Sequence, residues 1–176
     1  MGAFREKSAL LIADMIKDFV DEDGALSVPA AREIVSRIAE LASEARELKA
    51  PVIYINDSHD PDDPEFEIWP PHAITGTDGT EVVSGLEPQE GDYVLAKKKY
   101  SAFFETGLDE LLRRLGVEHI VITGTVTNIC VYATALDAMM RGYSVTVVEE
   151  GVAALNEEDQ RFALRQIEQV LGGEVI

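Results

Sequence analysis

Short apolar runs alternate with amphipathic stretches along this chain, and few folds can accept that alternation. The runs fall at residues 9–13 (ALLIA), 52–55 (VIYI), 93–96, 120–123 and 145–148. They are apolar at successive positions rather than at every second one. That pattern points to strands covered on both faces, as in a parallel sheet. Amphipathic patterns fill the intervals at residues 29–49, 106–115, 128–141 and 156–171. Pro29 sits near the first turn of its stretch, where a missing N–H costs nothing. Gly116 and Gly142 follow the ends of two others, where a left-handed cap is wanted. The order predicts an α/β fold: a doubly wound three-layer α/β/α sandwich with a mostly parallel sheet, in one domain over residues 1–176.

One segment breaks the rhythm. Residues 56–91 carry little regular pattern, many Pro, Gly and Asp, and two of the three histidines. Structureless loops that long are uncommon in compact domains unless they serve a site. Phe66, Ile68 and Trp69 argue that the loop is ordered.

Charge narrows the partners. A formal net charge of −18 repels nucleic acid and anionic membranes alike, so neither is expected as a partner. The apolar runs are far short of a membrane span, and residues 1–7 lack the apolar core of a signal peptide. A single cysteine allows no internal disulfide and fits a reducing compartment. These features predict a cytoplasmic protein, and a homo-oligomer is expected.

In doubly wound sheets, ligands bind beyond the carboxyl ends of the strands. Asp14 ends the first apolar run, Asp57 and His59 follow the second, Lys97 closes the third and Cys130 follows the fourth. Each has an ordinary alternative. A lone cysteine is usually packing, Asp14 could cap a turn, and Lys97 belongs to a KKK run of the kind that normally faces solvent. The cysteine gains interest from its place at a helix start, where the partial positive charge favours a thiolate. In the loop, Asp57 and His59 are spaced Asp-x-His, and His72 follows thirteen residues later. Two imidazoles and a carboxylate suit zinc, manganese or iron. Acidic loops with a histidine are common, however, and Asp-x-His alone is weak. His119 begins a strand, away from the crevice, and reads as structural.

Three segments in order carry a resemblance: ALLIADMIKDF, KKKYSAFFETGLDELL and VITGTVTNICVYATALDA. Together they resemble the isochorismatase-like cysteine hydrolases, and among them the nicotinamidases, over residues 8–154. The resemblance implies a catalytic set of Asp14, Lys97 and Cys130, with Lys97 selected because it stands four residues before Ser101. It implies an oxyanion hole made by the backbone N–H of Cys130 and that of the residue after a non-proline cis peptide, which maps to Val126–Thr127. It also implies one divalent metal held by Asp57, His59 and His72, with Glu65 as a further ligand in some members. Phe19 and Trp69 fall where such proteins place ring-contacting side chains, although Phe19 serves equally well as core.

The expectation is therefore a cysteine amidohydrolase that converts nicotinamide to nicotinate and ammonia through a thioester. Two alternatives stay open. One is a relative acting on another small amide or ureide. The other is a thiol redox sensor or small-molecule binder on the same fold, although a sensor often has a second, resolving cysteine.

Overall fold

In the computed structural model, which describes residues 2–176, every strand runs parallel to its neighbours. The strands are β1 (Ser8–Ala13), β2 (Val52–Asp57), β3 (Tyr93–Lys97), β4 (His119–Thr125), β5 (Ser144–Ala153) and β6 (Glu174–Val175). Their order in the sheet is β3-β2-β1-β4-β5-β6. Successive side chains point to opposite faces of a strand, so β1 feeds two cores at once. Leu10 and Ile12 pack with Tyr54 and Val121 against Ile34, Ile38 and Leu41 of α2 (Ala31–Glu47). Leu11 packs with Ile53 and Ile122 against the opposite layer of α3 (Leu108–Arg114), α4 (Tyr132–Met140) and α5 (Glu157–Gln169). This is the three-layer α/β/α arrangement expected. Among the described residues, no helix is long and apolar enough to cross a membrane.

Several boundaries differ from the sequence pattern. β3 is an edge strand and alternates between half-buried and exposed residues until Lys97. β5 continues to Ala153, past a register irregularity opposite Ile122 and Gly124. A one-turn helix α1 (Lys17–Val20) follows β1. The helical stretch after β4 begins as a π turn over Thr127–Val131 before α4 proper. The cis peptide lies at Thr125–Val126, one bond earlier than expected. The physical reason is that Thr125 is still paired with Ala153 in the sheet, while Thr127 already belongs to the helical turn.

Gly124 shows how closely the sheet is drawn together below the site. Its φ is +109°, and a Cβ there would lie 2.0 Å from the Ala13 carbonyl oxygen. Only glycine fits, and β4 can therefore lie against β1 where the chain turns out at Asp14.

Candidate active site

Asp14, Asp57, Lys97 and Cys130 meet at the carboxyl ends of β1, β2, β3 and β4, all buried. Asp14 has a φ of +55°, in the left-handed region that aspartate tolerates better than most residues. Its Oδ1 accepts the Asp57 backbone N–H at 2.7 Å. Lys97 Nζ lies 2.9 Å from Asp14 Oδ2, 2.5 Å from Asp57 Oδ1 and 3.5 Å from Cys130 Sγ. The Asp14 Oδ2 contact is an ion pair without hydrogen-bond geometry, so this buried oxygen has no hydrogen-bond partner. It is free to take a proton.

Burial, and then the neighbouring Asp57 carboxylate, push Asp14 up to about 6, against the pull of Lys97. Burial opposes ionisation of Asp57 too, but Lys97 and His59 outweigh it and hold that carboxyl below its usual range. Lys97 is held well above its ordinary value, because its carboxylate partners overcome the cost of burying the ammonium. Cys130 departs from the sequence expectation. Burial pushes its thiol well above the ordinary range, Lys97 opposes this, and Asp14 and Asp57 add to it. The helix start therefore does not by itself keep the sulfur ionised. A base must take the proton, and Asp14 is adjacent and unusually basic for a carboxylate.

The loop residues join the same cluster. His59 is tied by backbone bonds to the segment after His72: His59 N–H donates to the Ala73 carbonyl at 2.8 Å, and Thr75 N–H to the His59 carbonyl at 2.9 Å. Ala73 is anchored in turn by its N–H to Asp18 Oδ2 at 2.7 Å. The His59 and His72 rings lie 4.9 Å apart. One ligand atom each from Asp57, His59 and His72 fall within 4.8 Å of one another. His59 Nε2 is buried with no hydrogen-bond partner. An orphaned imidazole nitrogen facing a carboxylate and a second imidazole is what a borderline-soft divalent metal requires, so the donor set fits one. Glu65 groups with His59 and Asp63 rather than with Asp57 and His72. Burial pushes its carboxyl up.

A narrow slot of about 30 Å³ opens onto this cluster, and both Cys130 and the loop's Asp57, Glu65 and His72 reach its wall. Phe19, Leu26, Val28, Trp69, Tyr100, Val126, Ile129 and Leu155 complete it. Phe19 packs on Ile16 and Ala73, and its ring lies 5.3 Å from that of His72. Trp69 Nε1 donates to the Tyr100 hydroxyl at 3.2 Å, across the rim. A larger open groove of about 610 Å³ runs beside Glu33, Glu157 and Arg161, but it contains neither the thiol nor the histidines.

Sequence reasoning treated the triad and the loop as two constellations. Lys97 and the Asp57 backbone N–H make them one. It also missed Tyr100, Asp18 and Asp63. The Asp63-Pro64 pair could have flagged Asp63, since an acidic N-cap before proline is a helix-start signal. Thr127, expected beside the oxyanion hole, instead donates its hydroxyl to Gln160 Oε1 at 2.6 Å.

Known proteins resemble the chain over most of its length. The isochorismatase domain family matches residues 8–176. A pyrazinamidase/nicotinamidase from Streptococcus mutans superposes with a TM-score of 0.92 at 36% identity, over 96% of this chain and 99% of that one. An N-carbamoylsarcosine amidase from Thermoplasma acidophilum gives 0.89 at 40% identity, over 96% and 95%. A pyrazinamidase of Pyrococcus horikoshii in complex with zinc gives 0.91 at 30% identity, over 97% and 98%.

Proposed function

The chain belongs to the isochorismatase family, a hydrolase by that membership, and on that footing we propose that it is a metal-assisted cysteine amidase acting on nicotinamide. One observation carries the choice of substrate. The slot that Cys130 borders is walled by apolar and aromatic side chains and by Asp57, Glu65 and His72, with no Arg or Lys among them. A flat, neutral amide with a ring nitrogen suits that wall. A ureido acid such as N-carbamoylsarcosine would bring a carboxylate towards the Asp57 and Glu65 carboxylates, with no Arg or Lys side chain on the wall to pair it.

The reaction follows from the placement of the groups. Asp14 Oδ2 takes the thiol proton, and the Cys130 thiolate attacks the amide carbon. Lys97, between the two, balances the negative charge as it moves. The backbone N–H groups of Val126, which follows the cis bond, and of Cys130 receive the oxyanion. Asp14 then hands its proton to the departing amine, and ammonia leaves a thioester. Water, deprotonated by Asp14, cleaves the thioester to the carboxylic acid and restores the thiol. Asp57, His59 and His72 would hold the metal, which supplies a Lewis-acidic anchor for the ring nitrogen. Trp69 and Phe19 border the ring. Fixing both ends of the substrate presets the attack geometry, an effect that can contribute several kcal/mol.

The test is ammonia release from nicotinamide and benzamide by the zinc-loaded protein. Nicotinamide should be turned over far faster, because benzamide has the amide without the nitrogen. Equal rates, with or without chelator, would sink the assignment and favour another small amide or ureide.

A further inference from the structure

His59 is wholly buried, and its two ring nitrogens face different neighbours. Nδ1 lies 3.1 Å from Asp63 Oδ2, whereas Nε2 has no hydrogen-bond partner. Both nitrogens face carboxylates, which can only accept, but Nδ1 alone is within hydrogen-bonding distance of one, so in the neutral ring Nδ1 carries the proton and Nε2 keeps its lone pair. Nε2 is the nitrogen that faces Asp57, 3.6 Å from its Oδ2. The second oxygen of Asp63 has a separate task. It accepts the Glu65 backbone N–H at 2.9 Å and so caps the short 3-10 turn Pro64–Glu67. The Asp63 side chain is nearly as buried as the ring it holds, and it pairs with the half-exposed Lys99, with Nζ 3.5 Å from Asp63 Oδ1.

We propose that Asp63 is the positioning residue of the metal centre: one oxygen fixes the His59 tautomer that leaves Nε2 free to ligate, and the other sets the turn that carries Glu65. The inference rests on the metal reading above. Carboxylates that receive the far N–H of a ligating imidazole fix its orientation and raise its basicity, and losing one typically weakens metal binding 10- to 100-fold. A rival arrangement exists, because His59, Asp63 and Glu65 also lie close enough together to share an ion. That arrangement needs the lone pair on Nδ1, so the tautomer separates the two.

The chain has three histidines, so long-range ¹H–¹⁵N correlation spectra of the metal-free protein at alkaline pH can resolve each ring. His59 should carry its proton on Nδ1. Asp63→Ser keeps an oxygen able to cap the turn but too short to reach the ring. In that variant the His59 signal should become a mixture of tautomers, and the Kd for zinc, measured by chelator competition, should rise about 10- to 100-fold. A wild-type ring protonated on Nε2 overturns the proposal, as does wild-type zinc affinity in Asp63→Ser. If Asp63→Ser does not fold, the wild-type spectrum still decides. A wild-type chain that binds no zinc overturns the metal reading, and the role of Asp63 with it, whatever the tautomer.

Discussion

The two ends of this sheet both bury a histidine among polar side chains, and they do so in opposite ways. At the amino end, His119 is bonded through both nitrogens: Nδ1 to Ser8 Oγ at 2.7 Å and Nε2 to Thr146 Oγ1 at 2.9 Å. These contacts join β1, β4 and β5, and Arg5 extends them to Glu174 near the carboxyl terminus. At the carboxyl end, His59 Nε2 and Asp14 Oδ2 are buried without a hydrogen bond, and Asp14 Oδ2 meets Lys97 Nζ only as an ion pair. An unmade buried hydrogen bond costs about 1–3 kcal/mol, so each such atom calls for an explanation. The satisfied network is structural. Under the proposed function, the unsatisfied one serves a metal, a proton and a substrate.

The comparison can be broken by variants at either end. Cys130→Ala should have the largest effect, lowering kcat for nicotinamide by about 10⁴-fold or more while zinc content and folding are kept. Asp14→Asn and Lys97→Ala should each lower kcat by about 10²-fold or more, measured as ammonia release. Lys98→Ala and Lys99→Ala should be mild, because Lys98 and Lys99 pair with acidic loop side chains and not with the thiol. If Lys98 proved essential and Lys97 dispensable, the cluster would be misassigned.

Removing the metal acts on positioning before chemistry. Chelation, or His72→Ala, should raise KM for nicotinamide roughly 10-fold or more, and readdition of zinc should restore the chelated wild type alone. An unchanged KM would separate the loop from the substrate.

At the amino end the expected effect is on stability. His119→Ala should lower unfolding free energy by about 2 kcal/mol or more in urea melts, leaving kcat of the folded protein unchanged. The pH dependence has a definite sign. Burial, and then nearby Arg5, push His119 from 6.5 down to about 4 in the folded protein. Between those values the unfolded chain binds the proton and the native chain does not. The His119 contribution is therefore present above about 6.5 and is lost as pH falls towards 4. His119→Ala should flatten that part of the stability profile. A profile equally steep in the variant would move the titration elsewhere.

How much of this was legible follows from where each signal resides. Consecutive apolar residues revealed β1, β2 and β4; the polar residues beyond them, Asp14, Asp57 and Cys130, were candidates whose roles only the family resemblance supplied. Periodicity fails where geometry is irregular. The π turn at Thr127–Val131 has no 3.6-residue rhythm, and the Glu149–Glu150 pair hides the continuation of β5. Strand β6 has two residues and leaves no pattern. The cis bond was misplaced by one residue because nothing in VITGTVTNIC marks where sheet pairing stops. Asp63-Pro64 marks a turn start, but so does Asp60-Pro61 in the same acidic loop, and only side-chain geometry shows which aspartate holds His59. The depressed thiol expected at a helix start was overruled by burial, which a sequence does not report.

The central claim is that the thiol at the end of β4 bonds covalently to the substrate. The most direct measurement is peptide mapping by mass spectrometry of zinc-loaded protein mixed with nicotinamide and acid-quenched within the first turnovers. The account predicts a nicotinoyl thioester on Cys130 that decays as nicotinate appears. Turnover with Cys130 unmodified throughout, or with the acyl group on any other residue, would contradict it.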